Sequence, residues 1–155
     1  MKKIFAAFFL SAVLLFVTIN FSAKKIFVMA EVDGMKKIIT IVDAKKNLPL
    51  TIKFIHSVQK TPVVEELSFD GEQFILLRTI YQSHGVGLPF LEGDGTFREA
   101  DGKFIMDNMN REIKNLQLRT GKGTELCIEV DGTIFELYKK VPDGTKIIFV
   151  VVGKK

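Results

Sequence analysis

Cysteine is nearly absent from this sequence, and no acidic residue occurs among its first 25 residues. The single Cys127 cannot form an intrachain disulfide or a cysteine metal cluster, and we expect it to be a small, buried apolar residue. The sequence also lacks internal repeats, low-complexity stretches and any long helical period. Its 155 residues therefore leave room for a single domain, which we expect to be rich in β-strands.

The acid-free segment 1–25 has the features of an export leader. Lysine pairs flank an apolar run over residues 4–21, which is longer than the roughly 7–15 residues of a cleaved signal peptide. A cut after Ala23 would place the large Phe21 where a small residue is required. We therefore predict an anchor that crosses the cell membrane through residues 4–21, with the domain 26–155 outside the cytoplasm. A cleaved signal peptide and a secreted domain are the alternative.

The positive charge of the chain belongs to this leader. The formal net charge is +4, and the leader holds four lysines and no acidic residue. The remainder has 18 basic and 18 acidic residues and is formally neutral. Because phosphate recognition needs positive charge concentrated on the folded domain, the composition argues against nucleic acid as a partner.

Beyond the leader, short runs of β-branched and aromatic residues alternate with turn signals. This pattern predicts an all-β fold, an antiparallel, hairpin-rich sandwich or barrel preceded by the N-terminal hydrophobic helix. Residues 109–116 could hold one helical turn instead of a strand. The predicted strands cover residues 26–32, 36–42, 50–58, 63–70, 73–81, 102–106, 113–119, 125–130, 133–139 and 146–152.

Three Asp-Gly pairs punctuate these strands. Asp-Gly supplies the positive φ angles of a type I′ turn, so tight hairpins are predicted at residues 33–34, 70–71 and 131–132. In the last hairpin, Val130 then faces Thr133 and Ile128 faces Phe135. The glycine-rich stretch 85–101 has few strand signals, and a loop of that length is either functional or mobile.

Two predicted neighbouring strands each carry one polar residue on an otherwise apolar face. His56 interrupts the apolar face of strand 50–58, and Glu65 interrupts that of strand 63–70. A short connection over residues 59–62 would place His56 directly opposite Glu65. A two-residue turn at 70–71 would place Arg78 diagonal to Glu65 on the same face. The pattern thus predicts a polar trio of His56, Glu65 and Arg78 in an apolar setting.

Three interpretations of the trio stay open. It could be a buried ion-pair network that only fixes strand register, or the polar anchor of a mainly apolar ligand pocket. It could also be catalytic, with His56 as a general base oriented by Glu65. A relay through Ser57 is excluded, because adjacent strand residues point to opposite faces. We assign no catalytic residue.

The segment SHGVGLP at residues 83–89 follows the strand that carries Arg78. Gly85 and Gly87 permit a tight bend at a strand end, and a Gly-x-Gly pair alone is weak evidence for phosphate binding. His84 could join His56 and Glu65 as a zinc ligand, but the spacing matches no established zinc motif. We therefore expect neither a metal nor a cofactor.

The runs IHSVQKTPVVEE at residues 55–66 and SHGVGLP at residues 83–89 together closely resemble the DUF1850 family of uncharacterised bacterial and archaeal proteins. The resemblance extends over most of residues 24–152, and His84 stands where the family more usually has an aromatic residue. The matching positions are His56, Ser57, Val58, Thr61, Pro62, Val63, Glu65, Ser83, Gly85, Gly87 and Pro89.

The family resemblance implies an accessory role in solute uptake and indicates no particular mechanism. Its members are often encoded beside TAXI-type TRAP transporter permeases, which implies an extracytoplasmic accessory or ligand-binding domain for solute uptake. A TRAP permease or its solute-binding protein would be the partner. The expected ligand- or partner-binding residues are His56, Ser57, Thr61, Glu65, Arg78, Ser83, Gly85, Gly87 and Pro89. An extracytoplasmic hydrolase or isomerase with His56 as general base and Glu65 as its orienting partner is the alternative.

Overall fold

A computed structural model describes residues 23–85, 87–89 and 93–153. The predicted leader helix lies outside these residues, and within them no helix is long and apolar enough to span a bilayer. Twelve strands and one short helix follow in chain order: β1 (Lys25–Val32), β2 (Met35–Asp43), β3 (Leu48–Ile55), β4 (Pro62–Phe69), β5 (Phe74–Tyr81), β6 (Thr96–Ala100), β7 (Lys103–Asp107), β8 (Arg111–Ile113), β9 (Gln117–Arg119), β10 (Cys127–Val130), β11 (Thr133–Glu136), α1 (Leu137–Lys140) and β12 (Lys146–Val152).

The strands form two antiparallel sheets, which confirms the predicted all-β fold. The small sheet has the order β2-β1-β12-β9, and the large sheet has the order β11-β10-β3-β4-β5-β7-β6. Strand β8 pairs with the first part of β5. Buried residues from both sheets form one hydrophobic cluster, so the architecture is a sandwich.

Alternation of side chains explains how the two sheets share this core. Ile26 and Val28 on β1 and Ile147 on β12 point inward from the small sheet. Leu50 on β3 and Leu67 on β4 point inward from the large sheet, directly opposite one another. Each of these side chains is almost fully buried. Apolar residues at every second position therefore set the orientation of both sheets.

Two of the predicted Asp-Gly hairpins are confirmed. Val32 pairs with Met35 across residues 33–34, and Val130 pairs with Thr133 across residues 131–132. The aspartate and glycine of each turn have positive φ, as a type I′ turn requires. The predicted pairing of Ile128 with Phe135 follows from the second turn.

The predicted two-residue turn at Asp70-Gly71 is wrong. Phe69 pairs with Phe74, so four residues form the connection. The Asp70 side chain determines this geometry, because its Oδ1 accepts hydrogen bonds from the backbone N–H groups of Glu72 at 2.8 Å and Gln73 at 2.9 Å. An aspartate that bonds to the backbone of its own turn favours a wider connection than type I′.

A fourth Asp-Gly pair divides the region expected to be a loop. Asp101 and Gly102 both have positive φ, and Ala100 pairs with Lys103 across them. Strand β6 therefore occupies the end of the stretch 85–101. The Asp-Gly dipeptide in the sequence indicates this hairpin, although the low strand propensity of the region argues against strands there.

Strand β5 contains a bulge that changes its partner. Leu67 pairs with Leu76 but Glu66 pairs with Arg78, so Leu77 is the extra residue. Before the bulge β5 pairs with β8, and after it β5 pairs with β7. The carbonyl of Leu77 accepts a hydrogen bond from the N–H of Met109 at 3.1 Å, in the chain between these two strands. The bulge thus marks the point where β7 gives way to β8.

Two smaller predictions are also corrected. The strand expected over residues 133–139 ends at Glu136 and continues as the single turn α1. The predicted strand 113–119 is divided between β8 in the large sheet and β9 in the small sheet. Residues 111–113 are extended, so the optional helical turn over residues 109–116 does not form there.

Candidate functional site

The connection between β3 and β4 is longer than the sequence suggests. Phe54 pairs with Val63 and Ile52 pairs with Glu65, so the predicted pairing of His56 with Glu65 is wrong. His56 follows the end of β3 and begins the turn. Its backbone N–H donates to the Thr61 carbonyl at 2.9 Å, and its carbonyl accepts from the Lys60 N–H at 3.0 Å.

The His56 side chain builds this turn. Its Nδ1 accepts hydrogen bonds from the backbone N–H of Val58 at 3.3 Å and of Gln59 at 3.1 Å. A ring nitrogen that accepts carries no proton, so in the neutral imidazole the proton is on Nε2. His56 is only 8% exposed. The ring nitrogen therefore accepts backbone N–H groups that would otherwise bond to a partner strand. This explains why β3 ends before His56.

Glu65 projects into the interior of the sandwich, as its alternation predicts. In the large sheet it pairs with Ile52 on one side and Thr79 on the other. Ile52 continues the row to Ile128, and Thr79 continues it to Met106. A carboxyl thus occupies one place in an inward-facing row whose other members are apolar or, at Thr79, a hydroxyl.

Arg78 does not join His56 and Glu65. It pairs with Glu66, and because adjacent strand residues alternate, Glu66 and Arg78 lie on the outer surface of the large sheet. There Arg78 binds Asp107 through Nε and Glu66 through a terminal nitrogen at 3.2 Å. Arg98 binds the other oxygen of Asp107 at 2.6 Å. The trio prediction fails because the bulge at Leu77 shifts the register.

His56 and Glu65 nevertheless line one cleft of about 410 Å³ at the end of the sandwich. Its wall on the large sheet combines the apolar Ile52 and Phe54 with Glu65, and β9 at the free edge of the small sheet forms another wall. An edge strand leaves backbone N–H and C=O groups without a strand partner. The cleft residues are Ile52, Phe54, Ile55, His56, Ser57, Glu65, Gly87, Leu88, Gln117, Leu118, Arg119, Thr124 and Leu126.

The environment of Glu65 is unusual for a carboxyl. Burial raises the pKa of Glu65, and the positive charge of Arg111 partly opposes this shift. Arg111 pairs with Leu76 and so lies on the same inner face. Among the described residues, no group donates a hydrogen bond to the Glu65 carboxyl, and none forms an ion pair with it within 4 Å. Arg111 therefore supplies a positive charge near Glu65 but does not form the contact that the sequence predicted for Arg78.

The segment 83–89 packs against the His56 turn. A Cβ on Gly85 would come within 3.1 Å of His56 Cε1 and 3.0 Å of Gln59 Cγ, so only glycine fits without displacement. Gly87, with φ of 87°, lines the cleft. Ser83 Oγ donates to Gln59 Oε1 at 3.5 Å, and the Pro89 carbonyl accepts from the Tyr81 hydroxyl at 2.5 Å.

Thr61 has a mainly structural place in the turn. Its carbonyl accepts the His56 N–H bond. Its buried Oγ1 finds no hydrogen-bond partner among the residues that the structure describes. Thr61 does not line the cleft, whereas Ser57 does and is exposed. Of the predicted site residues, His56, Ser57, Glu65 and Gly87 are thus brought together at the cleft.

His84 takes part in an aromatic stack instead of approaching Glu65 as a ligand. Its ring stacks on Phe104 with centroids 4.2 Å apart, and Phe97 lies parallel at 6.3 Å. Tyr81 contacts the same group edge-on. The imidazole thus packs as one member of an aromatic cluster. In the described part of the chain, no three His, Cys, Asp or Glu side chains are placed to hold a metal.

Sequence reasoning missed the wall formed by β9 and the chain after it. Gln117, Arg119 and Thr124 reach the cleft from the other sheet, and no spacing signal relates them to His56 or Glu65. Arg119 donates to the Gly144 carbonyl at 2.7 Å, which fixes its guanidinium. Cys127 is half-buried on β10, and burial is the main cause of the raised pKa of its thiol.

The chain was compared with protein families, curated proteins and solved structures. A family model described as a domain of unknown function, DUF1850, matches residues 50–137. Searches of curated proteins and of solved structures found no match. The matched segment is more than half of the 155 residues and runs from β3 to the first residue of α1. It contains Glu65, the His56 turn and the large sheet except for the first two residues of β3.

Proposed function

The chain belongs to the DUF1850 family, and we propose that its domain is a membrane-tethered, extracytoplasmic accessory module that binds a small ligand in the service of TRAP-type solute uptake. The observation that carries the proposal is the Glu65 carboxyl, which lines the cleft without a hydrogen-bond donor from the described residues. Glu65 is partly buried, and burial raises the pKa of its carboxyl, so a ligand that supplies a hydrogen-bond donor stabilises the carboxylate on binding.

The volume and lining of the cleft support a small ligand that has both apolar and polar groups. Its volume of about 410 Å³ lies within the roughly 300–1,000 Å³ typical of ligand pockets. Ile52, Phe54 and Leu126 offer apolar contacts, whereas Glu65 offers an acceptor. A molecule with an apolar body and an amine, amide or hydroxyl donor satisfies both requirements.

The association with uptake and the membrane rests on sequence. The apolar run 4–21 supports the tether, and the frequent encoding of family members beside TAXI-type permeases supports the transport role. A TRAP permease or its solute-binding protein is accordingly the proposed partner. A secreted domain remains the alternative if the leader is cleaved.

The hydrogen bonds of His56 favour binding over catalysis. A general base needs an unprotonated nitrogen that is free to accept a proton from the substrate. In His56 that nitrogen is Nδ1, and it already accepts two backbone N–H bonds. A hydrolase or isomerase that used His56 as its base would have to open the turn in every cycle.

Glu65 and Glu66 provide a matched test of the ligand site. They are adjacent and identical in chemistry, but Glu65 lines the cleft and Glu66 binds Arg78 on the outer surface. We expect Glu65→Gln in the full chain to impair TRAP-dependent uptake in cells, whereas Glu66→Gln leaves uptake close to normal. Equal uptake by both variants, at equal protein levels, would argue against a functional cleft.

Native mass spectrometry of the full chain extracted from membranes tests binding directly. We expect a co-purified small molecule on the wild type and on Glu66→Gln, and its loss from Glu65→Gln. A mass that persists in Glu65→Gln would place the molecule elsewhere. Recovery of a permease or solute-binding protein in the same extraction tests the proposed partner separately.

A further inference from the structure

The outer surface of the small sheet is apolar, although it faces away from the protein core. Phe27 on β1 pairs with Ile41 on β2, and Met29 pairs with Ile38. Ile38 is 51% exposed and Ile41 is 48% exposed. On the other side of β1, Val150 of β12 pairs with Phe27 and Ile148 of β12 pairs with Met29. The residues that we call the outer stripe are Phe27, Met29, Ile38, Ile41, Ile148, Val150 and Val152. Ile38, Ile41 and Val152 are exposed, whereas Ile148 is buried and the others are partly buried.

The sandwich does not need this stripe for its own core. The core uses the alternate side chains of the same strands, such as Val28 on β1 and Ile147 on β12. An antiparallel sheet with one buried face normally presents polar residues on the other. Strands β1 and β12 are apolar on both faces instead. An outer face that exposes Ile38, Ile41 and Val152 beside these partly buried apolar residues indicates a contact surface.

Charged rows border the outer stripe. At one end Glu31 lies between Lys36 and Lys146, and Lys146 pairs with Arg119. At the other end Lys25 binds Asp43. Three of the four residues in the first row are basic, so the rim at that end of the stripe is positively charged.

The two halves of the sandwich also differ in overall charge. Within the described residues, the small-sheet segments 24–46, 114–124 and 138–153 have 12 basic and 4 acidic residues. The large-sheet segments, 47–113 and 125–137 without residues 86 and 90–92, have 6 basic and 13 acidic residues. The formal charges are therefore +8 and −7. A domain with almost no net charge thus presents a strongly basic half, and the outer stripe lies on it.

The stripe is also close to the predicted anchor. Phe27 is six residues beyond the end of the apolar run 4–21, and β1 is the first strand of the domain. The three residues 22–24 can span at most about 11 Å when fully extended. A chain anchored through residues 4–21 therefore holds β1 at the bilayer surface.

We propose that the outer stripe docks on an anionic lipid bilayer, so that the small sheet lies against the membrane and the acidic large sheet faces away from it. Apolar side chains enter the interface while Lys36, Lys146 and the neighbouring basic residues meet lipid phosphates. The strands of the stripe, β1, β2 and β12, lie outside the segment 50–137 that the family model matches. The stripe and the ligand cleft share no apolar residue, although Arg119 lies at the border of both, and the docking proposal does not depend on a ligand in the cleft.

A fluorescent probe on the full chain tests the docking. In a Cys127→Ser background, Ile38→Cys carries an environment-sensitive nitrobenzoxadiazole label on the stripe. Ile134→Cys is the matched control, because Ile134 is 58% exposed on β11 of the acidic half. Each protein is reconstituted into vesicles of phosphatidylcholine alone or with about a third phosphatidylglycerol.

We expect the label at position 38 to shift to the blue in phosphatidylglycerol vesicles, while the label at position 134 keeps its aqueous emission. Adding Lys36→Glu and Lys146→Glu should lower the docked fraction by about tenfold, since each lysine near an anionic surface contributes several-fold to binding. Unchanged circular dichroism and thermal unfolding of the labelled proteins control for folding.

Three results would overturn the proposal. Aqueous emission from position 38 in both kinds of vesicle means that the stripe does not reach lipid. An equal blue shift in neutral and anionic vesicles means that the basic rim has no part in docking. A shift that depends on the protein-to-lipid ratio means that a second copy of the chain covers the stripe.

Discussion

Glu65 pairs with Thr79 across β4 and β5, and this pairing places a carboxyl in an inward-facing row of mainly apolar side chains. Burial raises its pKa, so folding disfavours the ionised form. Between the ordinary pKa of glutamate and the raised value, the folded state binds more protons than the unfolded state. The free energy of unfolding therefore falls as pH rises through this window and stays lower above it.

Glu65→Gln should remove this pH-dependent loss of unfolding free energy. We expect the variant to melt a few degrees above the wild type at pH 7, and the difference to shrink as pH falls toward the ordinary pKa of glutamate. Thermal unfolding of the full chain across this pH range measures the effect. Glu66→Gln is the control, because Glu66 is half-exposed and bound to Arg78. A Glu65→Gln variant that gained stability but lost uptake would indicate a site kept for function at a cost in stability.

His56→Asn should preserve the turn better than His56→Ala. An asparagine oxygen can accept the Val58 and Gln59 N–H bonds that Nδ1 now accepts, whereas alanine leaves both donors without that partner. We expect His56→Ala to cost about 1–2 kcal/mol and His56→Asn clearly less. Urea unfolding distinguishes the two. Equal losses would mean that ring packing, and not hydrogen bonding, holds the turn.

Asp107→Asn should loosen the outer surface of the large sheet. Asp107 on β7 binds Arg78 on β5 and Arg98 on β6, and its side chain is 16% exposed. We expect a loss of about 1 kcal/mol, in keeping with pairs that are partly open to solvent. Hydrogen bonds from Arg98 and Arg78 lower the pKa of Asp107, so the loss should be full at neutral pH and fade in acid. Urea titrations at two pH values test this, and an effect that grew in acid would contradict it.

Gly85→Ala should disturb the His56 turn through contact alone. The added Cβ would press on His56 Cε1 and Gln59 Cγ, and relieving such overpacking costs about 1–2 kcal/mol. Hydrogen exchange at the Val58 and Gln59 amides should quicken. Ser83→Ala in the same segment is the control, because Ser83 is partly exposed and makes only a long bond to Gln59. Unchanged exchange in Gly85→Ala would show that the segment yields without moving the ring.

Local chemistry allowed part of the fold to be predicted from the sequence. The turns at residues 33–34 and 131–132 follow from the positive φ that Asp-Gly tolerates, and the inward direction of Glu65 follows from alternation. Two side chains explain why the predicted strand register was wrong elsewhere. His56 and Asp70 each bond to the backbone of their own turn, so strands expected to continue end early and the connections lengthen.

The other parts of the site depend on contacts between distant segments. Arg78 faces outward because Leu77 forms a bulge where β7 gives way to β8, and nothing near Leu77 in the sequence indicates this. The approach of Gln117 and Thr124 to the cleft depends on β9 joining the small sheet. Such features come from tertiary pairing, which alternation along one strand does not encode.

The bulge at Leu77 also affects how the cleft can diverge in evolution. Substitutions at Glu65 or Arg78 change the charge at their own positions but leave each on its own face of the sheet. To bring the Arg78 cation into the interior, the register of β5 must shift, which requires an insertion or a deletion in a strand with three neighbours. Point mutations in a descendant protein can therefore alter the residues that line the cleft. Only an insertion or a deletion can bring the positive charge of position 78 into the cleft.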